Sequence, residues 1–216
     1  MDARAVRTRR RLREAALALA AEGPIDEISV AQLTRAAGMN RATFYKHATS
    51  PLHVVREALV DDLDAIRLDF LPAAADPATD LEALWRTAAH TTAAHVARFE
   101  SIYVRGFAED ASGALPALLS RHITRSMESM LQARPDLLPS HAGADEDLLI
   151  ASYAAFLGHG LAAILQVWFA SGNRDVAVYA DAVIGALPEW MRRRTPPTRP
   201  TGRPRLSQTS KKVQSQ

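Results

Sequence analysis

Residues 28–47 read Ile-Ser-Val-Ala-Gln-Leu-Thr-Arg-Ala-Ala-Gly-Met-Asn-Arg-Ala-Thr-Phe-Tyr-Lys-His. Ser29 is suited to N-cap a helix of about two turns that stops at Gly38, where the chain can take positive φ. Asn40 is suited to cap a second short helix over Arg41–His47. Val30, Leu33, Ala37, Met39 and Phe44 form one apolar set, and Ala36 and Ala37 are small enough for close helix contact. The other face of the second helix gathers Arg41, Ala42, Thr43, Tyr45, Lys46 and His47. Two short helices joined by a tight Gly-containing turn match a helix-turn-helix.

Working outward, residues 4–22 read as a helix with Leu12, Ala16, Leu19 and Ala20 at helical spacing, ended by Gly23-Pro24. Arginines at 4, 7, 9, 10, 11 and 13 crowd its amino-terminal half, where the helix dipole favours anions, so a phosphate partner accounts for them. On the other side, Ser50 and Pro51 open a fourth helix to about Phe70, with Leu52, Val55, Leu59, Leu63, Ile66 and Phe70 as its buried stripe. His53, Glu57, Asp61 and Asp64 share another face, read as a solvated acidic surface and not as a metal site. The segment 72–80, with two prolines, reads as a break.

Over the 216 residues there are 41 alanines, 23 arginines against 3 lysines, and no cysteine. Alanine and arginine favour helix, and an all-α chain is expected. The absence of cysteine excludes disulfides, thiolate metal sites and cysteine catalysis. The net charge of +2 divides unevenly: +4 over residues 1–47, −10 over 48–190 and +8 over 191–216. Basic ends on an acidic body predict that the ends meet a polyanion. Residues 1–13 lack the apolar core of a secretory signal, which predicts a cytoplasmic protein. HExxH, GxSxG, Walker and GxGxxG patterns are absent, so neither an enzyme nor a cofactor is expected.

Residues 7–60 resemble the DNA-binding domain of the tetracycline-repressor (TetR) family. The resemblance rests on the arginine-rich first helix, the block ISVAQLTRAAGMNRATFYKH and the amphipathic helix that follows. It implies a ligand-responsive, sequence-specific regulator, a repressor in the usual case, that binds a pseudo-palindromic operator as a homodimer. On this reading Thr43, Tyr45 and His47 hold phosphates, with Tyr45 assigned most firmly. Arg41, Ala42 and Lys46 face base edges, and Ser29 and Gln32 assist from the preceding helix. The sequence departs from the family pattern at Ala48, commonly aromatic, and at Pro51, commonly the lysine that caps a phosphate contact. The backbone N–H groups of the helix opened by Ser50-Pro51 are placed to replace that contact.

Beyond residue 80, one helix is expected from Leu81 to about Phe107 and another from about Pro116 to Arg134, with a loop between Arg134 and Asp145. Phe99, Tyr103, Met127 and Met130 are the candidate lining of a pocket for a hydrophobic effector. Residues 148–173 carry no formal charge, long enough for a transmembrane helix. Ser152, Tyr153, His159 and Gln166 interrupt them, and acidic residues precede them. A soluble helix covered on two sides fits better, one stripe being Leu157, Leu161, Leu165 and Trp168 and the other Leu149, Phe156, Gly160, Ile164 and Val167. FLGHGLAAILQVWFASG is similar to the penultimate helix of TetR-family regulators, which implies a dimer interface with the last helix, about Arg174–Met191. Phe156, Gly160, Ile164, Val167, Trp168, Val183 and Leu187 are its candidate residues. The alternative is a membrane-anchored regulator with 148–173 as the span.

The expected organisation is a three-helix helix-turn-helix domain over 1–50, a connecting helix over 51–71, a helical ligand-binding and dimerisation domain over 72–194 and a basic tail over 195–216. Within the tail, Thr201-Gly202-Arg203-Pro204-Arg205 resembles an AT-hook core, which lies in the minor groove. Double-stranded DNA, a second copy of the chain and a small hydrophobic molecule are the expected partners, and no membrane.

Overall fold

The computed structural model describes residues 3–108, 113–139 and 145–192. The tail with its AT-hook-like stretch lies outside them. Nine α-helices and no strand occur among the described residues: α1 (Ala3–Glu22), α2 (Val30–Ala36), α3 (Arg41–Tyr45), α4 (Pro51–Ala75), α5 (Leu81–Arg98), α6 (Glu100–Gly106), α7 (Ala114–Ala133), α8 (Glu146–Ala170) and α9 (Val176–Ala186).

The first three helices close around Leu12, Ala16, Ala20, Leu33, Ala37 and Phe44, all essentially buried. Val55 and Leu59 of α4 complete this core from one side. Arg13 fastens α1 to α4, donating to the Ala58 carbonyl and to Asp61, each at 2.7 Å. Farther along α4, Leu63, Phe70 and Ala74 enter the core of the body, where Phe70 packs on Trp85 of α5. One helix therefore contributes side chains to both cores.

Four boundaries differ from the sequence expectation. The fourth helix continues through Pro72 to Ala75 and does not break at 72. Proline removes one N–H here, but Leu68, whose carbonyl loses its partner, is largely exposed to water. Arg134 then caps the helix end, donating to the carbonyls of Ala74 and Asp76, while Asp136 holds its guanidinium through two 2.8 Å bonds. The expected Leu81–Phe107 helix is two helices with a break at Phe99, whose backbone leaves helical geometry at φ −111°, ψ 29°. The break turns α6 so that Ile102 and Tyr103 are buried. The third helix ends at Tyr45, with Lys46 as its C-cap and His47 beyond it. The last helix stops at Ala186, and Glu189–Met191 form a short 3₁₀ turn after Pro188.

The uncharged segment becomes α8, and its two stripes separate as the sequence suggests. Leu157, Leu161, Leu165 and Trp168 are buried, whereas Phe156 and Val167 are each 71% exposed. The two glycines have opposite surroundings. A Cβ on Gly158 would lie 2.6 Å from the Thr124 backbone of α7, while Gly160 has nothing within 4 Å. By length and composition α8 alone among the described helices could cross a membrane, but its inner side packs in the bundle.

Candidate nucleic-acid interface

The starts of α2 and α3 are fixed by three side chains of the quoted stretch, and the turn between them by a glycine. Ser29 Oγ accepts the Gln32 N–H, and Gln32 Oε1 accepts from both the N–H and the hydroxyl of Ser29, a reciprocal capping box. Gln32 was expected to assist at DNA; its amide oxygen is already committed to this cap, leaving its amide nitrogen as a donor. The Ser-x-x-Gln spacing was readable in the sequence and signals this cap. Gly38 sits at φ +59°, a conformation that disfavours any side chain with a Cβ. Asn40 Oδ1 then accepts the Thr43 N–H at 2.8 Å and starts α3.

Phe44 anchors α3, fully buried, and the rest of the helix turns outward. Arg41, Ala42, Tyr45 and Lys46 are exposed; Thr43 and His47 are half-buried. Tyr45 is 61% exposed, its ring held edge-on against Phe44 at 5.1 Å. A large aromatic left in water on a rigid support, flanked by Arg41 and Lys46, has the donors that phosphate and guanine require. At the start of α4, Ser50 Oγ accepts the His53 N–H with Pro51 in the first turn, as the sequence predicts.

Residues 12–57 match the sequence model of bacterial regulatory proteins of the tetR family. This is a TetR-family amino-terminal domain. The matched segment holds the whole of α2 and α3 and the first turns of α4. The TetR-family match makes the chain a DNA-binding transcriptional regulator, and the all-helical body agrees with it. Two solved structures share the fold over most of the chain. The dihydroxyacetone kinase operon activator DhaS superposes with a TM-score of 0.54 at 14% identity, over 82% of this chain and 92% of its own. The fatty acid degradation regulator FadR from Bacillus halodurans does so with a TM-score of 0.55 at 15% identity, over 81% and 91%. No curated protein matches the sequence.

The body contains a mostly apolar cavity of about 80 Å³, walled by Leu63, Ile66 and Phe70 of α4, Trp85, Leu119, Met127, Leu161 and Tyr179, with Arg67, Thr92, His122 and Ser126 among its polar groups. Of the four residues expected to line a pocket, only Met127 does so. Met130 and Tyr103 are fully buried elsewhere, and Phe99 is half-buried at the α5–α6 break. The carboxylates on α4 also find partners that sequence reasoning missed. Asp61 pairs with Arg13, Asp64 with Arg67 at 3.1 Å, and His53 with Glu57 at 3.4 Å. Among the described residues no cluster of His, Asp and Glu is arranged to hold a metal.

Asp62 heads a buried polar chain. It pairs with Arg98 and accepts from His95 Nδ1 at 2.6 Å, while His95 Nε2 accepts the Tyr103 hydroxyl at 2.7 Å. This arrangement satisfies every group only when His95 is neutral. Burial pushes His95 down to about 4 and holds the Tyr103 phenol protonated, well above its ordinary value. His122 is likewise pushed down to about 4, chiefly by burial and against the opposing pull of Asp64. Between pH 6.5 and about 4 the unfolded chain binds two protons that the folded chain refuses, so stability is full above 6.5 and falls as pH drops through this window. Each histidine contributes a slope of up to ~1.4 kcal/mol per pH unit. Thermal melts from pH 7.5 to 4.5 check this: His122→Gln is expected to flatten the decline, and an unchanged slope would contradict the assignment.

Proposed function

We propose that the protein is a homodimeric, effector-responsive repressor that reads a pseudo-palindromic operator through α3. The observation that carries the reading is the outward face of α3, where Arg41, Ala42, Tyr45 and Lys46 stand exposed on a helix locked by Phe44. Tyr45, Thr43 and His47 hold phosphates; Arg41, Ala42 and Lys46 meet base edges.

The second copy docks on the outer stripe of α8. Phe156, Val167 and half-buried Ile164 with open Gly160 form an apolar strip continued by Val178 of α9. Trp168, Val183 and Leu187 support this surface from inside, since all three are buried within one chain. Pairing here covers both sides of α8, which favours a soluble cytoplasmic dimer over a membrane span.

A hydrophobic effector occupies the α4–α5–α7 cavity. Its 80 Å³ is too small for most metabolites, so a larger ligand fits only by moving a wall. Because α4 is one wall and also supports the helix-turn-helix, such a ligand discriminates between two domain separations, the condition for regulation. Selection of duplexes from a random-sequence pool tests the reading. Enrichment of an inverted repeat with half-sites about one helical turn apart, or a multiple of it, is expected. Enrichment of no sequence would refute it.

A further inference from the structure

The walls of the α4–α5–α7 cavity are mostly apolar, but each of the three helices adds a polar side chain: Arg67 from α4, Thr92 from α5 and His122 from α7. His122 is only 8% exposed, yet neither of its ring nitrogens has a hydrogen bond among the described residues. Oδ1 of Asp64 lies 3.7 Å from Nδ1, too far to accept. A buried imidazole is ordinarily satisfied, as His95 is by Asp62 and Tyr103. The same Asp64 oxygen accepts from Arg67 Nε at 3.1 Å, which brings the guanidinium and the imidazole to one place on the wall. Arg67 spends only Nε there. Its two Nη atoms and the Thr92 hydroxyl have no hydrogen-bond partner among the described residues. Ser126, the other polar wall residue of α7, turns its hydroxyl onto the His122 carbonyl.

The unspent groups are donors, and donors call for an acceptor. Charge points the same way: among the described residues Arg67, Arg125 and His95 act on the His122 ring against Asp64. A neutral hydroxyl would leave the excess positive charge in place. A carboxylate balances it and matches the donor geometry of a guanidinium. We propose that the effector is an amphiphilic monocarboxylate, with its apolar body against Phe70, Trp85 and Met127 and its carboxylate held by Arg67 Nη, the Thr92 hydroxyl and His122 Nε2. This assignment rests on the reading of the cavity as the effector site and adds the chemical class of the ligand. An apolar chain too long for 80 Å³ has a way out, because Ile66, Phe70 and Ala88 wall both this cavity and the open groove between α4 and α5. A bound carboxylate favours the charged imidazole, so His122 takes up a proton more readily with the ligand than without it.

The test uses the full chain with its histidine ring nitrogens isotopically labelled for NMR, and three probes of equal chain length: octanoate, 1-octanol and octylammonium. His122→Gln identifies the His122 signal. Octanoate is expected to bind at least about tenfold more tightly than the other two, as a charged hydrogen bond in a buried site requires. It is also expected to raise the pH at which the His122 ring titrates, which octanol leaves where it is. Arg67→Gln, checked for its fold by circular dichroism, is expected to bring octanoate down to the affinity of octanol. Equal binding of octanoate and octanol, both perturbing the His122 signal, would overturn the carboxylate seat and leave the cavity to a neutral apolar effector. Tighter binding of octylammonium would overturn it in favour of Asp64 as the head-group partner. Octanoate binding that leaves the His122 signal unmoved would place the probe elsewhere on the chain and overturn the seat. Failure of all three probes to bind would overturn the seat together with the effector reading of the cavity.

Discussion

A Phe156→Glu, Val167→Glu double variant is expected to run as a folded monomer and to lose operator affinity by about 10²–10⁴-fold, the gain that linking two half-site contacts provides. Both side chains are 71% exposed in the single chain, so charges there leave the fold intact. In the proposed dimer both positions lie in the isologous contact, where like charges desolvated together are prohibitive. Light scattering reads the mass, and circular dichroism reads the fold. A double variant that stays dimeric would place the interface elsewhere.

Two residues away, the opposite result is expected. Gly158→Ala pushes a methyl group to 2.1 Å from Thr124 Oγ1 and 2.6 Å from the Thr124 backbone. A helix backbone cannot yield as a side-chain tip can, so α7 must retreat from α8 along their whole contact. The expected cost is about 3 kcal/mol, at the upper end for overpacking. For a chain of this size that lowers Tm by roughly 6–12 °C. Gly160→Ala, made in the monomeric double variant, has open space and gains helix propensity, raising stability by up to ~1 kcal/mol. Equal effects of the two substitutions on Tm would contradict the packing described for α8.

The contrast between these glycines shows what the sequence could and could not reveal. The helix-turn-helix was legible because its determinants are local: a serine cap, a glycine at positive φ, an asparagine cap and an apolar set all lie within residues 28–47. The two stripes of α8 were legible for the same reason, since helical periodicity sorts the residues of one helix. Which glycine faced a neighbour was not, because that depends on where α7 runs. The break at Phe99 has no proline or glycine to announce it, and the burial of Ile102 and Tyr103 beyond it depends on tertiary packing. Helix α4 outlasts Pro72 with its end capped by Arg134, a residue sixty positions away in sequence. The Asp62–His95–Tyr103 chain joins three helices, and the cavity took Met127 and left Met130 because only tertiary packing chooses between them.

Sequence-specific recognition by α3 is the central claim, and one titration tests it most directly. The purified protein is titrated at several salt concentrations against duplex DNA from upstream of its own coding region, with a scrambled duplex of the same composition as control. Wild type is expected to bind the native duplex at least about a thousandfold more tightly, the usual margin of specific over non-specific binding. Tyr45→Ala, which leaves buried Phe44 in place, is expected to weaken binding to the native duplex and narrow that margin, by loosening the register in which α3 is held. Equal, steeply salt-dependent binding to both duplexes, unchanged by Tyr45→Ala, would mean that only the basic surface is acting and would contradict the account.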